Sequence, residues 1–300
     1  MLGAIVGDVA GSVYESCLLK FSDPSKITLF MATSRFTDDS VMTLAVARWL
    51  TDSRDKSAAS LVEAMQELGR KYPNAGYGPA FARWLAADTP KPYGSWGNGA
   101  AMRVSPAGLY ATTLDEALRL ATVSATVSHD HPEAVGAARA VAAAVFMARH
   151  GAGNAEIRTY VENSFGYDLS RTIGEIRPAY AWDVSCRGSV PEAITAFLDA
   201  DSVEQAVRLA ISLGGDADTQ AAIAASIAAA RWPVPDWMEQ ECRRKLTPEL
   251  AVIIDSFEGA AADRAAGRAT MQTRPGAPPR GAAGPQPPSC PPGMAMLVRA

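Results

Sequence analysis

Apolar positions recur at helical spacing through most of the chain. Segments at roughly 40–52, 57–71, 113–127, 132–149, 191–199, 202–213, 217–231 and 247–265 repeat Ala, Leu, Val or Ile every three or four residues. The strict alternation of a half-buried strand is scarce, and "KITLFMAT" is the only tempting run, a short one. An all-α domain is therefore predicted, not an α/β sheet protein. The segment after Asp218 is apolar almost all round, which suits an interior helix whose small side chains let neighbours approach closely. Near the N-terminus Gly3, Gly7 and Gly11 recur every four residues, giving one smooth helix stripe, and Glu15 continues it.

Several helix ends are legible. In "SHDHPEAV", Asp130 or His131 can cap, Pro132 suits the first helical position and Glu133 the first turn. That helix should run to His150 and stop at Gly151. "SVPEAITAFL" suggests the same pattern, with Ser189 or Val190 ahead of Pro191 and Glu192. From about Thr270 the periodicity vanishes into "TRPGAPPRGAAGPQPPSCPPG". The chain thus divides into a domain over 1–268 and a Pro/Gly-rich tail over 269–300, expected to be disordered.

Composition narrows the function classes. Lys+Arg number 28 against 32 Asp+Glu, and no basic run stands out, so a general nucleic-acid partner is not expected. Cys17, Cys186, Cys242 and Cys290 form no CxxC or Cys/His cluster, which argues against structural zinc and for free thiols. The opening run "MLGAIVGDVAG" lacks a basic segment and is broken by Asp8, so it does not read as a secretory signal. No stretch is long and apolar enough for a bilayer. A soluble, cytoplasmic monomer is expected.

Two stretches carry more oxygen than local structure needs. "RFTDDSVMTLAV" presents Thr37, Asp38 and Asp39 at a helix start, and "LGGDADTQAAI" presents Asp216, Asp218 and Thr219 at another. A single Asp or Thr suffices as an N-cap, worth about 1 kcal/mol. Clustered buried carboxylates raise one another's pKa unless a cation neutralises them. Asp and Thr oxygens are hard donors suited to Mg2+ or Mn2+. If the two helix starts meet, they could hold two ions, a known catalytic device.

Further candidates are individually weak. Glu15 is either a surface residue at a helix end or a carboxylate delivered beside the metals. "YGSWGNGAAMRVSP" places Ser95, Gly97, Asn98 and Gly99 in a turn entering a helix, where exposed amides favour phosphate. Trp96 either packs or stacks on a base. His129, one of three histidines, more often caps or packs than catalyses.

Taken together and in this order, these motifs resemble the ADP-ribosylglycohydrolase family, which includes the enzyme that removes ADP-ribose from dinitrogenase reductase. The matching pieces are "GAIVGDVAGSVYE", "FTDDSVMTLAVA", "GSWGNGAAMRVSP", "SHDHPEAV", "SCRGSVPEAI" and "ISLGGDADTQAAIAASIA", covering the chain to about 265. The resemblance implies an all-α fold with a dinuclear Mg/Mn centre in a cleft. By motif match the metal ligands are Thr37, Asp38, Asp39, Asp216, Asp218 and Thr219, and Glu15 matches a mobile glutamate near the metals. Ser95, Gly97, Asn98 and Gly99 match the loop that holds diphosphate and ribose. Trp96 matches an aromatic position near the adenosine, and His129 a histidine near the ADP-ribose. Family members often carry Ser or Thr where this chain has Ala217, a position not expected to ligate.

The implied activity is hydrolysis at the anomeric carbon of the distal ribose, through a transition state of oxocarbenium character. It would release ADP-ribose from an arginine or serine side chain of a modified protein, or from a small ADP-ribosyl ester. The catalytic set is Glu15, Asp38 and Asp218, with the base either Glu15 or a metal-ligating Asp. A prenyl-diphosphate enzyme would need a DDxxD motif, which "SVM" after Asp39 breaks; an HD-type phosphohydrolase would need more histidines. The non-enzyme alternative is a catalytically silent ADP-ribose binder or structural relative, against which the retained metal-site residues argue.

Overall fold

The computed structural model describes residues 1–15 and 20–272, with side chains described to 267. The chain opens with α1 (Leu2–Gly11), in which every residue is buried. A loop with one 3-10 turn (Pro24–Lys26) leads to α2 (Asp38–Asp52), α3 (Ala58–Lys71) and α4 (Pro79–Ala86). Two short helices, α5 (Gly99–Met102) and α6 (Ser105–Tyr110), precede α7 (Leu114–Thr126) and α8 (Pro132–Arg149). Next come α9 (Asn154–Phe165), the one-turn α10 (Ile173–Ile176), α11 (Cys186–Leu198), α12 (Val203–Ser212) and α13 (Ala217–Arg231). The domain closes with α14 (Asp236–Arg243) and α15 (Pro248–Gln272).

The fold is all-α, as the periodicity predicts. "KITLFMAT" forms no strand, and among the described residues the sole β-type pairing is an isolated bridge between Gly97 and Ser185. Two helices form the centre. α13 is buried from Ala217 through Ala228, and α1 lies directly against it because the glycine stripe has no side chains to hold it off. Gly3 faces Ala225, Gly7 faces Ala221 and Gly11 faces Asp218, where an added Cβ would lie 2.5 Å from the Asp218 Cα. Around this pair, α8, α11 and α12 cover α13, while α2, α12 and α14 cover α1. The C-terminal end of α1 thus meets the start of α13, and α2 begins beside it.

The ends of α8 follow the expected pattern. The His131 Nδ1 accepts the Glu133 N–H at 3.2 Å, and Gly151 takes a φ of +83°. The start of α11 does not. Ser185, not Ser189 or Val190, is its cap: the Ser185 hydroxyl accepts the Gly188 N–H at 2.9 Å. Pro191 therefore sits inside the helix, where its missing N–H costs one bond to the Arg187 carbonyl. Serine capping set the boundary, and the proline is tolerated a turn later.

Cys186 and Cys242 are free and buried; Cys17 and Cys290 lie outside the described residues. So do residues 273–300, which hold most of the expected tail, while α15 runs on to Gln272. Among the described residues no helix is long and apolar enough to cross a membrane.

Candidate active site

The site begins with Asp8, a carboxylate fully buried within α1. A buried carboxylate is tolerated only when its oxygens are used. Asp8 Oδ2 accepts the backbone N–H of Thr37 at 2.9 Å and of Ser40 at 3.1 Å. Oδ1 accepts the Thr37 hydroxyl at 2.7 Å, and Oδ2 also accepts the Ser40 hydroxyl. Asp8 therefore satisfies the orphan amides at the start of α2. Thr37 adds a conventional cap, accepting the Asp39 N–H at 3.3 Å. With capping done by Asp8 and Thr37, the carboxylates of Asp38 and Asp39 are left for the cleft.

The other half comes from the start of α13. Gly214 and Gly215 take φ of +75° and +74°, a left-handed bend that side-chain-bearing residues avoid. It delivers Asp216 to the N-cap position, yet the Asp216 side chain makes no capping bond. Its Oδ2 instead accepts the Asn98 amide at 2.6 Å, and Asn98 also donates to Ser189 Oγ at 3.2 Å. The two helix starts are joined directly: Thr219 Oγ1 donates to Asp39 Oδ2 at 3.1 Å.

Five carboxylates, those of Glu15, Asp38, Asp39, Asp216 and Asp218, line one cavity of about 370 Å³. Carboxylate oxygens of Glu15, Asp216 and Asp218 lie within 4.8 Å of one another. Among the described residues no lysine or arginine forms a salt bridge with Asp38, Asp39, Asp216 or Asp218. Burial, reinforced by the charge of Asp8, pushes the Asp38 carboxyl up to about 7. Burial also raises Asp39 and Asp218 well above the ordinary carboxylate range, with Asp8 and Asp39 respectively the strongest neighbouring charges. Asp216 and Glu15 are raised too, by burial first and, for Glu15, by Asp216 next.

This cluster fits a divalent cation. Every donor is a hard oxygen, and the buried Oδ1 of Asp39 has no hydrogen-bond partner. Such an orphan costs on the order of 1–3 kcal/mol, which a cation would offset. Asp38, Asp39, Asp216, Asp218 and Thr219 all face the cavity. Thr37 does not line it; its hydroxyl proton goes to Asp8 and one lone pair to Asp39 N–H, which leaves one lone pair.

The same cavity is lined by Ser95, Gly97, Asn98, Gly99 and His129. This loop is pinned from the chain entering α11, since the Val184 carbonyl accepts the Asn98 N–H at 2.9 Å and the Trp96 carbonyl accepts the Cys186 N–H at 3.0 Å. Trp96 does not line the cavity. Its side chain is 49% exposed. The aromatic surface comes instead from Phe81, Tyr93 and Trp182. Sequence reading missed these three and Asp8. For Asp8 a signal existed, a charge amid an otherwise apolar helix; Phe81 lies on the short α4, whose buried Phe81, Trp84 and Leu85 share one face, while Tyr93 and Trp182 sit in loops without a periodic pattern.

An all-helical domain that gathers carboxylates from two separate helix starts and a Gly/Ser/Asn loop around one cleft defines a class of helical folds with an oxygen-lined cavity. Within that class the chain belongs to the ADP-ribosylglycohydrolase family, whose family model matches residues 1–274. It is 26% identical to the ADP-ribosylhydrolase ARH3 of Gallus gallus over 322 residues, covering 81% of this chain and 87% of that protein. The ADP-ribosylhydrolase ARH3 of Homo sapiens is 25% identical, with 81% and 87% covered. A solved structure titled "ADP-ribosylglycohydrolase-related protein complex" superposes with a TM-score of 0.63 at 24% identity, covering 87% of this chain and 97% of that one. That likeness shows the shared fold.

Proposed function

We propose that this chain is a metal-dependent hydrolase that releases ADP-ribose from a modified protein side chain or a small ADP-ribosyl ester. The observation that carries the reading is that the five carboxylates share one cavity with Ser95, Gly97, Asn98 and Gly99. Family membership supplies the ADP-ribosyl group as substrate, and the similarity to ADP-ribosylhydrolases supports hydrolysis.

Asp38, Asp39, Asp216, Asp218, Thr219 and the remaining lone pair of Thr37 would hold two cations, Mg2+ or Mn2+. Those cations supply Lewis acidity toward hydroxyl oxygens and water. Asn98 fixes Asp216 in one rotamer, and Thr219 does the same for Asp39, so the carboxylates are preorganised. Ser95 offers a hydroxyl, and Gly97 and Gly99 bare backbone, to the diphosphate and ribose, and Phe81, Tyr93 and Trp182 offer apolar faces to the base. Glu15, the least buried of the five, takes the proton of the attacking water; burial, then the charge of Asp216, raises its carboxyl above the ordinary range and makes it a stronger base.

The test is a panel of ADP-ribosyl-arginine, ADP-ribosyl-serine and O-acetyl-ADP-ribose, each with Mg2+, Mn2+ and EDTA. Release of ADP-ribose that needs either metal supports the reading and assigns the acceptor. Tight ADP-ribose binding with no turnover on any substrate would replace it with a silent binder.

A further inference from the structure

Arg103 is a cation in the interior, 1% exposed. A buried guanidinium is costly unless its donors are used. Its Nη2 donates to the Ser124 carbonyl at 2.6 Å and to Ser128 Oγ at 2.8 Å, its guanidinium lies 5.6 Å from the Phe81 ring centroid, and its buried Nε has no hydrogen-bond partner. Ser128 is also fully buried, and its Oγ lies 2.8 Å from the His129 Nδ1.

Donor arithmetic then fixes the imidazole. Arginine can only donate, so Ser128 Oγ accepts from it. Among the described residues the Ser128 hydroxyl proton has one acceptor in reach, His129 Nδ1. A proton on Nδ1 would leave that buried hydroxyl proton unpaired, which is penalised. The ring proton therefore sits on Nε2. Among the described residues Nε2 has no hydrogen-bond partner, and it faces Gly99, where an added Cβ would lie 3.0 Å away. Glycine at 99 keeps this N–H open to the cleft.

Burial and the charge of Arg103 drive the imidazole pKa down to about 2, so the ring is neutral at any working pH. Tyr93 is the other titratable group against the ring, at 5.5 Å between centroids, and burial raises its pKa. Phe81 covers the ring at 6.0 Å.

We propose that Arg103 and Ser128 are positioning residues that fix His129 as the neutral Nε2–H tautomer, a donor presented beside Gly99 to an oxygen of the bound ligand. His129 then binds and orients, and it cannot serve as the general base. The identity of that ligand rests on the ADP-ribose reading; the tautomer does not.

The experiment is a long-range proton–nitrogen NMR spectrum of the full chain labelled at histidine, assigned with His131→Gln and His150→Gln. The expected wild-type pattern is an unprotonated Nδ1 and a protonated Nε2, without titration between about pH 5 and 8, and with an Nε2–H shift on adding ADP-ribose. Ser128→Ala should give a mixed-tautomer signal and roughly three- to tenfold weaker ADP-ribose binding, and Ser128→Thr should restore both. A protonated Nδ1, a ring that titrates in that window, or a Ser128→Ala spectrum identical to wild type would overturn the proposal. The wild-type spectrum alone decides the tautomer should Ser128→Ala fail to fold. The expected tautomer with no response to ADP-ribose would count against the ligand and not against the relay.

Discussion

The Thr219 hydroxyl donates to Asp39 Oδ2 at 3.1 Å, joining two helix starts 180 residues apart in the chain. That bond uses one carboxylate oxygen of Asp39 and leaves the other buried without a partner. The consequence is a cluster that is internally repulsive without cations and stabilised with them. Asp39→Asn keeps an oxygen for Thr219 and removes one charge. Without metal the variant should be more stable than wild type by about 1–2 kcal/mol. It should also lose the metal-induced stabilisation, which for wild type is about 2.7 kcal/mol at a hundredfold excess over Kd. Thermal melts in EDTA and in Mg2+ or Mn2+ read both effects, and an Asp39→Asn protein still stabilised by metal would remove Asp39 from the ligand set.

The same repulsion sets a pH dependence for the metal-free protein. The Asp38 carboxyl moves from an ordinary 3.8 to about 7 in the fold, through burial and then the charge of Asp8. A raised carboxylate pKa means the folded state binds the proton more tightly than the unfolded chain. Its contribution is complete below about pH 3.8 and is lost as the pH rises through about 7. Asp39 and Asp218 are shifted in the same direction. In EDTA, Tm should therefore be higher near pH 5 than near pH 8. Metal should flatten or reverse that slope, since ligation requires the deprotonated oxygens. A flat profile in EDTA would contradict the cluster's electrostatics.

Much of this was legible in the sequence, and the limits have physical causes. The 3.6-residue period located the long helices because their faces are buried against several neighbours. It missed α14, where only Met238 and Cys242 are buried, and α9, where only Ile157 and Val161 are. Two apolar residues make no period. The excess of oxygens in "TDDS" and "DADT" pointed to a shared centre, but spacing cannot say that Asp8 relieves Asp38 and Asp39 of capping. Nor can it say that Trp96 stays exposed while its neighbours Ser95 and Gly97 line the cavity.

The glycine stripe supplies a paired test of packing against propensity. In an open helix interior Gly→Ala stabilises by about 0.5–1 kcal/mol. Gly136 in α8 has nothing within reach of an added Cβ, so Gly136→Ala should gain that amount. Gly7 lies on the backbone of Ala221, so Gly7→Ala must push α1 away from α13 and should cost about 1–3 kcal/mol or more. Because the α13 start moves with α1, Gly7→Ala should weaken metal binding as well. Denaturant midpoints of opposite sign for the two variants are expected, and equal midpoints would refute the close contact.

Asp8 separates a supporting carboxylate from a ligating one. It does not line the cavity, yet it accepts two backbone N–H groups and two hydroxyls from Thr37 and Ser40. Asp8→Ala strands four buried donors and should cost about 3 kcal/mol or more, since each unmet buried group costs on the order of 1–3 kcal/mol. Asp8→Asn retains shape and one acceptor oxygen while removing the charge that acts most strongly on Asp38 and Asp39. It should lower stability by less, still bind metal, and flatten the EDTA pH slope. Asp39→Asn should do the reverse, with metal-free stability raised and metal binding lost. Metal titration followed by melting of the two variants side by side distinguishes the roles. Loss of metal binding in Asp8→Asn at unchanged stability would make Asp8 a ligand, and its capping role secondary.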